Sequence, residues 1–170
     1  MHENLMKEKS ISLSDDLRTL AGQPEFEREA SFYALDSVQS IYDVTNSQFK
    51  DNAAERAKHI ETLRVMHCVQ LTELRGIHLY VNVRELNISS NSVLSMNGLE
   101  SLRQVEDLNL SCNKISQIFS LQNMARSLKR LNLSHNRIVS LTPLGEIADQ
   151  SPLQVLDLTD NYIGELSHVK

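Results

Sequence analysis

Six histidines and two cysteines are the residues of this 170-residue chain with the widest reactive repertoire. His67 and Cys68 are adjacent, and Cys112 and His135 fall at neighbouring positions of two similar segments. A thiol beside an imidazole is the raw material of a nucleophile, or of two of the roughly four ligands that a zinc ion gathers. Neither constellation is completed. There is no CxxC pair, and the plentiful serines and aspartates lie in no GxSxG turn or other activating context. No catalytic, metal-ligating or cofactor-binding residue is therefore assigned, and the chain is expected not to be an enzyme. What remains is recognition chemistry, carried by Glu85, Asn87, Asp107, Asn109, Arg130, Asn132, Val155 and Asp157, which recur as pairs at nearly constant intervals.

The elements that must position these residues follow from internal repetition. Val83 to Asn91, Val105 to Asn113, Leu128 to Asn136 and Leu153 to Asn161 all read LxxLxLxxN or a close variant, and the interval between their asparagines is nearly constant, lengthening slightly toward the last. Leu86/Ile88, Leu108/Leu110, Leu131/Leu133 and Leu156/Leu158 alternate with period two, which puts them on one face of a short strand. Strands at about 86–88, 108–110, 131–133 and 156–158 are predicted. Met96, Leu99, Leu102 and then Ile118, Leu121, Met124 are spaced by three, as a 3₁₀ or helical return requires. One strand and one return make one turn of a solenoid. The asparagine sits where the strand bends, and its amide can satisfy backbone groups that the bend would bury.

A more degenerate unit precedes these, Ile60 to Cys68 with Cys68 at the asparagine position and Leu71, Leu74 and Ile77 as its return. The competing reading is a continuous helix through Ala53 to Met66. Residues 1–59 follow another grammar. Phe32, Leu35, Val38 and Tyr42 recur at three and four residues, predicting an amphipathic helix over about 24–45, with Pro24 and Glu25 in its first turn. Asn52 and Glu55 resemble a capping box for a shorter helix from Ala53. This segment carries 7 basic and 11 acidic residues. The chain accordingly divides into an N-terminal helical cap, 1–59, and a solenoid of about five units, 60–170. Ile163, Leu166 and Val169 continue a return with no polar cap after it, which favours a piece of a longer protein over a frayed last repeat.

In the strands, the side chains flanking the core leucines face outward in three columns. Thr62, Glu85, Asp107, Arg130 and Val155 form the first, Arg64, Asn87, Asn109, Asn132 and Asp157 the second, and Met66, Ser89, Ser111, Ser134 and Thr159 the third. Glu85 and Asp107 beside Arg130 provide the charge contrast that could fix the register of a docked segment.

Residues 83–169, and with them 60–82, are similar to the SDS22-like, phosphatase-regulator subclass of leucine-rich repeats. Leu108-Asn-Leu-Ser-Cys-Asn113-Lys-Ile115 and the lengthened unit from Asn136 to Asn161 resemble the centriolar leucine-rich-repeat and coiled-coil protein family, whose coiled coil is absent here. The resemblance implies an α/β fold: a right-handed solenoid with a curved parallel sheet, whose concave face or edge docks another protein. It points to a scaffold in a centriolar, ciliary or other cytoskeletal assembly, or to a regulatory subunit that docks a protein phosphatase or other enzyme.

Composition agrees with a globular domain, 41% hydrophobic and 23% charged. A net charge of −5 argues against nucleic acid as a partner, since duplex binding needs clustered cations to release counterions. No apolar run approaches the roughly 18 residues of a membrane span, and the first nine residues lack the apolar core of a signal peptide. A cytoplasmic location with reduced thiols is expected. Asn87-Ile-Ser89, Asn109-Leu-Ser111 and Asn132-Leu-Ser134 match a glycosylation sequon only because the repeat spells it.

Overall fold

A computed structural model describes residues 26–164. Six parallel strands form one sheet in chain order: β1 (Glu29–Tyr33), β2 (Thr62–Met66), β3 (Glu85–Asn87), β4 (Asp107–Asn109), β5 (Arg130–Asn132) and β6 (Val155–Asp157). Strands β3 to β6 start one residue before their predicted positions. The fold class read from the sequence, a parallel-stranded α/β repeat solenoid, is the one observed.

Between β1 and β2 run two helices, α1 (Ile41–Gln48) and α2 (Ala53–His59); 3₁₀ turns at Ile77–Leu79, Leu99–Ser101 and Gln122–Met124 serve the next three connections. The last return holds a short helix, α3 (Thr142–Ile147), with proline in its first turn. It occupies the longest interval between asparagines, Asn136 to Asn161, so the extra length is spent on turning a 3₁₀ return into an α-helix. Inward leucines of the strands and apolar residues of the returns fill one continuous core: Leu63, Leu86, Leu108, Leu110 and Leu133 are all buried, as are Leu71, Ile77, Leu99 and Met124. At β6 the same position loosens, and Leu156 is 44% exposed.

The asparagines hold successive turns together. Asn113 Nδ2 donates to the carbonyls of Ile88, Leu110 and Ser111 at 2.8, 3.1 and 3.2 Å, and its Oδ1 accepts from Val93 N at 2.9 Å. Asn91 repeats the pattern with Val65, Ile88, Ser89 and Cys68 N, and Asn136 with Leu110, Leu133, Ser134 and Ile115 N. Asn161 does the same at the next turn, toward Leu133 and Ile138 N. The residue before each has a positive φ: Ser90, Cys112, His135 and Asp160. That bend removes the local backbone from the strand ladder, and the amide replaces the lost partners. Cys68 stands in the same frame, buried, its N–H taken by Asn91. The unit from Ile60 is therefore a repeat, and the continuous helix through Met66 does not form.

The helix predicted over 24–45 is corrected by the structure, and so is the purely helical character of the segment before residue 60. Glu29–Tyr33 is a strand paired in parallel with β2, Ala30 opposite Leu63 and Phe32 opposite Val65. Ala34 takes the positive φ, as His67 does one turn later, which puts Leu35 at the asparagine position. The stripe of Phe32, Leu35, Val38 and Tyr42 fits period 3.6 by coincidence. Phe32 belongs to a strand, Val38 to the bend, and only Tyr42 to a helix, where it is about half exposed. Helical structure begins at Ser40, whose hydroxyl accepts from Asp43 N while the Asp43 carboxylate accepts from Ser40 N at 2.9 Å, a reciprocal cap. The Ser40 hydroxyl, first of several donors, holds the Asp43 carboxyl below its ordinary range. The short helix from Ala53 does form, but Asn52 enters it in the left-handed region without a side-chain cap. Pro24 and Glu25 at one end, and Leu166 and Val169 at the other, lie outside the described residues.

The double helical return is clamped to the next turn at two places. Thr45 Oγ1 lies 2.9 Å from the hydroxyl of buried Tyr80, whose burial pushes its pKa up to about 12. Gly76, at φ +99, packs so closely that a Cβ there would sit 2.5 Å from Tyr42 N.

Three kinds of substitution check this account. Leu110→Ala or Leu133→Ala is expected to cost about 2–5 kcal/mol in equilibrium denaturation, and Asn113→Ala about 1–3 kcal/mol through carbonyls and an N–H left unpaired. Gly76→Ala is expected to cost at least about 1–3 kcal/mol, because an L side chain at that φ is strained and the backbone of Tyr42 cannot yield. A midpoint unchanged by Gly76→Ala would mean that α1 does not pack against this turn.

Candidate functional site

The open face of the sheet is a grid set by strand register. Glu85, Asp107, Arg130 and Val155 are paired across β3 to β6, and Asn87, Asn109, Asn132 and Asp157 form the next row of pairs. On β2, Thr62 and Arg64 continue the two columns, and on β1 Glu29 and Ser31 complete them. The repeat pattern in the sequence brings the first eight together as neighbours and misses Glu29 and Ser31, because a helical stripe runs through them. The alternation of Ala30 and Phe32, with Leu35 three positions before Val38 as Cys68 is three before Leu71, is the signal that could have found them.

The middle column is rigid. Asn87, Asn109 and Asn132 each accept, through Oδ1, the N–H two residues on, at 3.0, 3.0 and 2.9 Å, and Asp157 does likewise with Thr159 N at 2.9 Å. With the oxygen fixed, each amide group keeps its NH₂ without a protein partner among the described residues. The result is three parallel donors at the spacing of adjacent strands, about 4.8 Å. Hydrogen bonds from Thr159 hold the Asp157 carboxyl below its ordinary range, keeping it an acceptor.

In the third column, Ser89, Ser111 and Ser134 are buried. Strict alternation predicts them outward with the rest. They keep to the outward columns but are small and covered by neighbours there: Ser134 Oγ donates to Asn132 Oδ1 at 2.7 Å and Ser89 Oγ to Met66 Sδ at 3.4 Å.

Charge on the face is organised around two arginines. Arg130 Nε donates to Asp107 Oδ2 at 2.7 Å, the contrast expected from the sequence, while Arg64 lies 3.6 Å from both Glu29 and Glu85. Between them, Thr62, Arg64, Glu85, Asn87, Asp107 and Asn109 line a hollow of about 200 Å³. Arg130 and Asp107 are solvent-accessible, so their ion pair adds at most about 1 kcal/mol to stability. Its consequence is geometric.

The thiols and imidazoles are separated by burial and by the ladder. Cys112 and His135 occupy the positive-φ positions of successive turns; Cys112 is exposed, and His135 Nδ1 lies 3.0 Å from Asp160 Oδ2. Among the described residues no three His, Cys, Asp or Glu are placed to hold a metal ion. Burial pushes the Cys68 thiol up, so it stays protonated and enclosed. Iodoacetamide at neutral pH is expected to alkylate Cys112 in the native protein and to spare Cys68 until denaturant is added, as peptide mass mapping would show.

Comparison with known proteins bears on the frame of this grid. Residues 127–148 match the family model described as Leucine Rich Repeat. Over 111 residues the chain is 27% identical to the Drosophila pseudoobscura pseudoobscura protein named acidic leucine-rich nuclear phosphoprotein 32 family member A, covering 65% of this chain and 42% of that protein. Among solved structures, an internalin from Listeria monocytogenes superposes with a TM-score of 0.59 at 22% identity, over 69% of this chain and 36% of its own. A plant ice-binding protein superposes with a TM-score of 0.55 at 17% identity, over 77% of this chain and 41% of its own. The chain thus spans less than half the length of each of these relatives. At such identities the structural likeness speaks for the fold alone. No described helix is long and apolar enough to cross a membrane. The family model thus matches one turn, residues 127–148, and the sheet as a whole has the fold of an internalin-like leucine-rich repeat solenoid.

Proposed function

We propose that the chain is a non-catalytic protein-interaction module that docks a partner on the open face of its sheet, through Glu85, Asn87, Asp107, Asn109, Arg130, Asn132, Val155 and Asp157. The observation that carries this reading is the locked middle column. Three amide oxygens and one carboxylate oxygen are each fixed by their own backbone, so the outward donors and acceptors are pre-organised and lose little freedom on binding. The Asp107–Arg130 pair beside that column supplies opposite charges at a defined separation, which sets the register of a docked segment. Leucine-rich repeat domains generally mediate protein–protein interaction, which supports the same reading.

Within this function, the resemblance of the unit at Leu108–Ile115 supports reading the module as a cytoplasmic scaffold in a cytoskeletal assembly such as a centriole or cilium. The near-even spacing of Asn91, Asn113 and Asn136, shared with the phosphatase-regulator subclass, favours a second reading: a regulatory subunit that docks a phosphatase or another enzyme. Proximity labelling in cells separates the two by whether centriolar proteins or phosphatase subunits are enriched. Enrichment of nuclear proteins instead would align the chain with the nuclear phosphoprotein relative and remove the cytoskeletal assignment.

For a partner identified in that way, Asp107→Lys with Arg130→Glu is expected to weaken binding at least a hundredfold by isothermal titration, while stability changes by less than about 0.5–1 kcal/mol. Undiminished affinity would move the site off the open face, and hydrolytic turnover by the purified chain would refute the non-catalytic reading.

A further inference from the structure

Two charge ladders cross the same strands, and only one of them alternates in sign throughout. Immediately before the strands, Arg28, Glu61, Arg84, Glu106 and Lys129 alternate in sign without a break. Arg28 pairs with Glu61 at 3.2 Å, and Glu106 bridges Arg84 at 2.9 Å and Lys129 at 2.6 Å. Those two cations, Lys129 first, hold the Glu106 carboxyl below its ordinary range. On the open face the first column reads Glu29, Thr62, Glu85, Asp107, Arg130, with Arg64 reaching across from the second column to Glu29 and Glu85. Alternation fails at one place: Glu85 and Asp107 stand opposite each other on adjacent strands, and three carboxylates share two guanidinium groups.

A hollow of about 200 Å³ opens at that break, lined by both carboxylates. Thr62 lines it too. Thr62 is nine-tenths buried, and its hydroxyl has no hydrogen-bond partner among the described residues. Every fully enclosed side-chain nitrogen or oxygen among those residues does have a partner, so the unused Thr62 hydroxyl opens on the hollow. On the opposite wall, the amide NH₂ groups of Asn87 and Asn109 are donors without an acceptor. The hollow therefore presents carboxylates and a hydroxyl to a cation and, beside them, donors to a carbonyl.

We propose that this hollow receives the cationic head group of an arginine or lysine side chain from a docked peptide segment, held between Glu85 and Asp107, with main-chain carbonyls of the same segment on Asn87 and Asn109. The incoming cation completes the alternation that the molecule achieves unaided on the neighbouring ladder. Arg64 lines the hollow beside Glu85, and Arg130 pairs with Asp107 from outside the lining, so the space left admits a single cation and fixes its position along the sheet. This inference rests on the reading of the open face as the docking surface.

The test uses the full chain, labelled with ¹⁵N, and three capped heptapeptides of glycine and serine with arginine, alanine or glutamate at the centre. The arginine peptide is expected to shift the amide signals around Thr62, Glu85–Asn87 and Asp107–Asn109 and to bind at least tenfold more tightly than the alanine peptide, with the glutamate peptide weaker still. Glu85→Gln with Asp107→Asn is expected to abolish that preference while leaving other amide signals in place. Equal binding of the three peptides, or shifts that fall elsewhere, overturns the proposal. So does calcium chloride alone producing the same shifts at submillimolar concentration, which would make the hollow a divalent-cation site. If the arginine preference is absent while the Asp107→Lys, Arg130→Glu variant still loses an identified partner, the docking face stands and only the cation pocket falls; if that variant keeps its partner, the docking face falls as well.

Discussion

Among the described residues, the turns at Asn91, Asn113 and Asn136 depend on a buried primary amide, and Asn161 repeats the arrangement half-buried. Where each strand ends, a residue with positive φ swings the chain inward and strips carbonyls and N–H groups of their strand partners. An asparagine side chain carries both a two-hydrogen donor and an acceptor, and each one here uses all of them, reaching back to the previous turn as well as to its own. No other small side chain but an amide can do both. An aspartate would present only acceptors to carbonyls, and an alanine would leave at least one N–H and three carbonyls short in a dry interior. Because each amide ties turn n to turn n−1, the ladder fixes the rise between repeats, and with it the strand register that lines up the outer columns.

The ladder weakens toward the amino end in an ordered way. Cys68 replaces the first asparagine, and Leu35 occupies the position before it. Their turns are secured by packing and by the helical return instead: Ile41, Val44 and Ile60 are buried, and Tyr80 bonds Thr45 from the next turn. The turn from Leu35 to Cys68 is longer than any that follows it, because two helices occupy its return. Among the described residues it adds to the solenoid a repeat of the same sheet. The outer columns are consequently one strand longer than the leucine pattern implies, and the added Glu29 is what draws Arg64 away from exclusive pairing with Glu85.

Function on such a scaffold is a matter of placement. Asn87, Asn109 and Asn132 recur because the repeat recurs, and their oxygens serve the backbone. Their outward NH₂ groups are therefore held still at no further conformational cost, a prerequisite for recognition by a surface made mostly of small polar residues, with Tyr33 on β1 as its exposed aromatic. Charge on that surface is sparse and uneven, and its one irregularity, Glu85 facing Asp107, coincides with its hollow.

The sequence by itself determined the repeat, the inward leucines, the structural asparagines and the identity of the residues that share a face. All of these follow from a short period within each strand and a longer one between strands, both enforced by local sterics. It also carried the Cys68 unit, whose apolar spacing survives the loss of asparagine. The first strand was illegible for a physical reason: Ala30 and Phe32 are too few to outvote a helical period that runs across the bend at Val38, and only pairing with β2 makes that segment extended. Burial of Ser89, Ser111 and Ser134 was decided in three dimensions as well, because these small side chains are covered by their neighbours in the stacked columns, as Ser134 is by Asn132 and Ser89 by Met66. Tertiary structure alone decided which charges meet. Arg64 and Glu29 are separated along the chain by both α1 and α2, and only the stacking of turns by buried amides and leucines sets them side by side on one face.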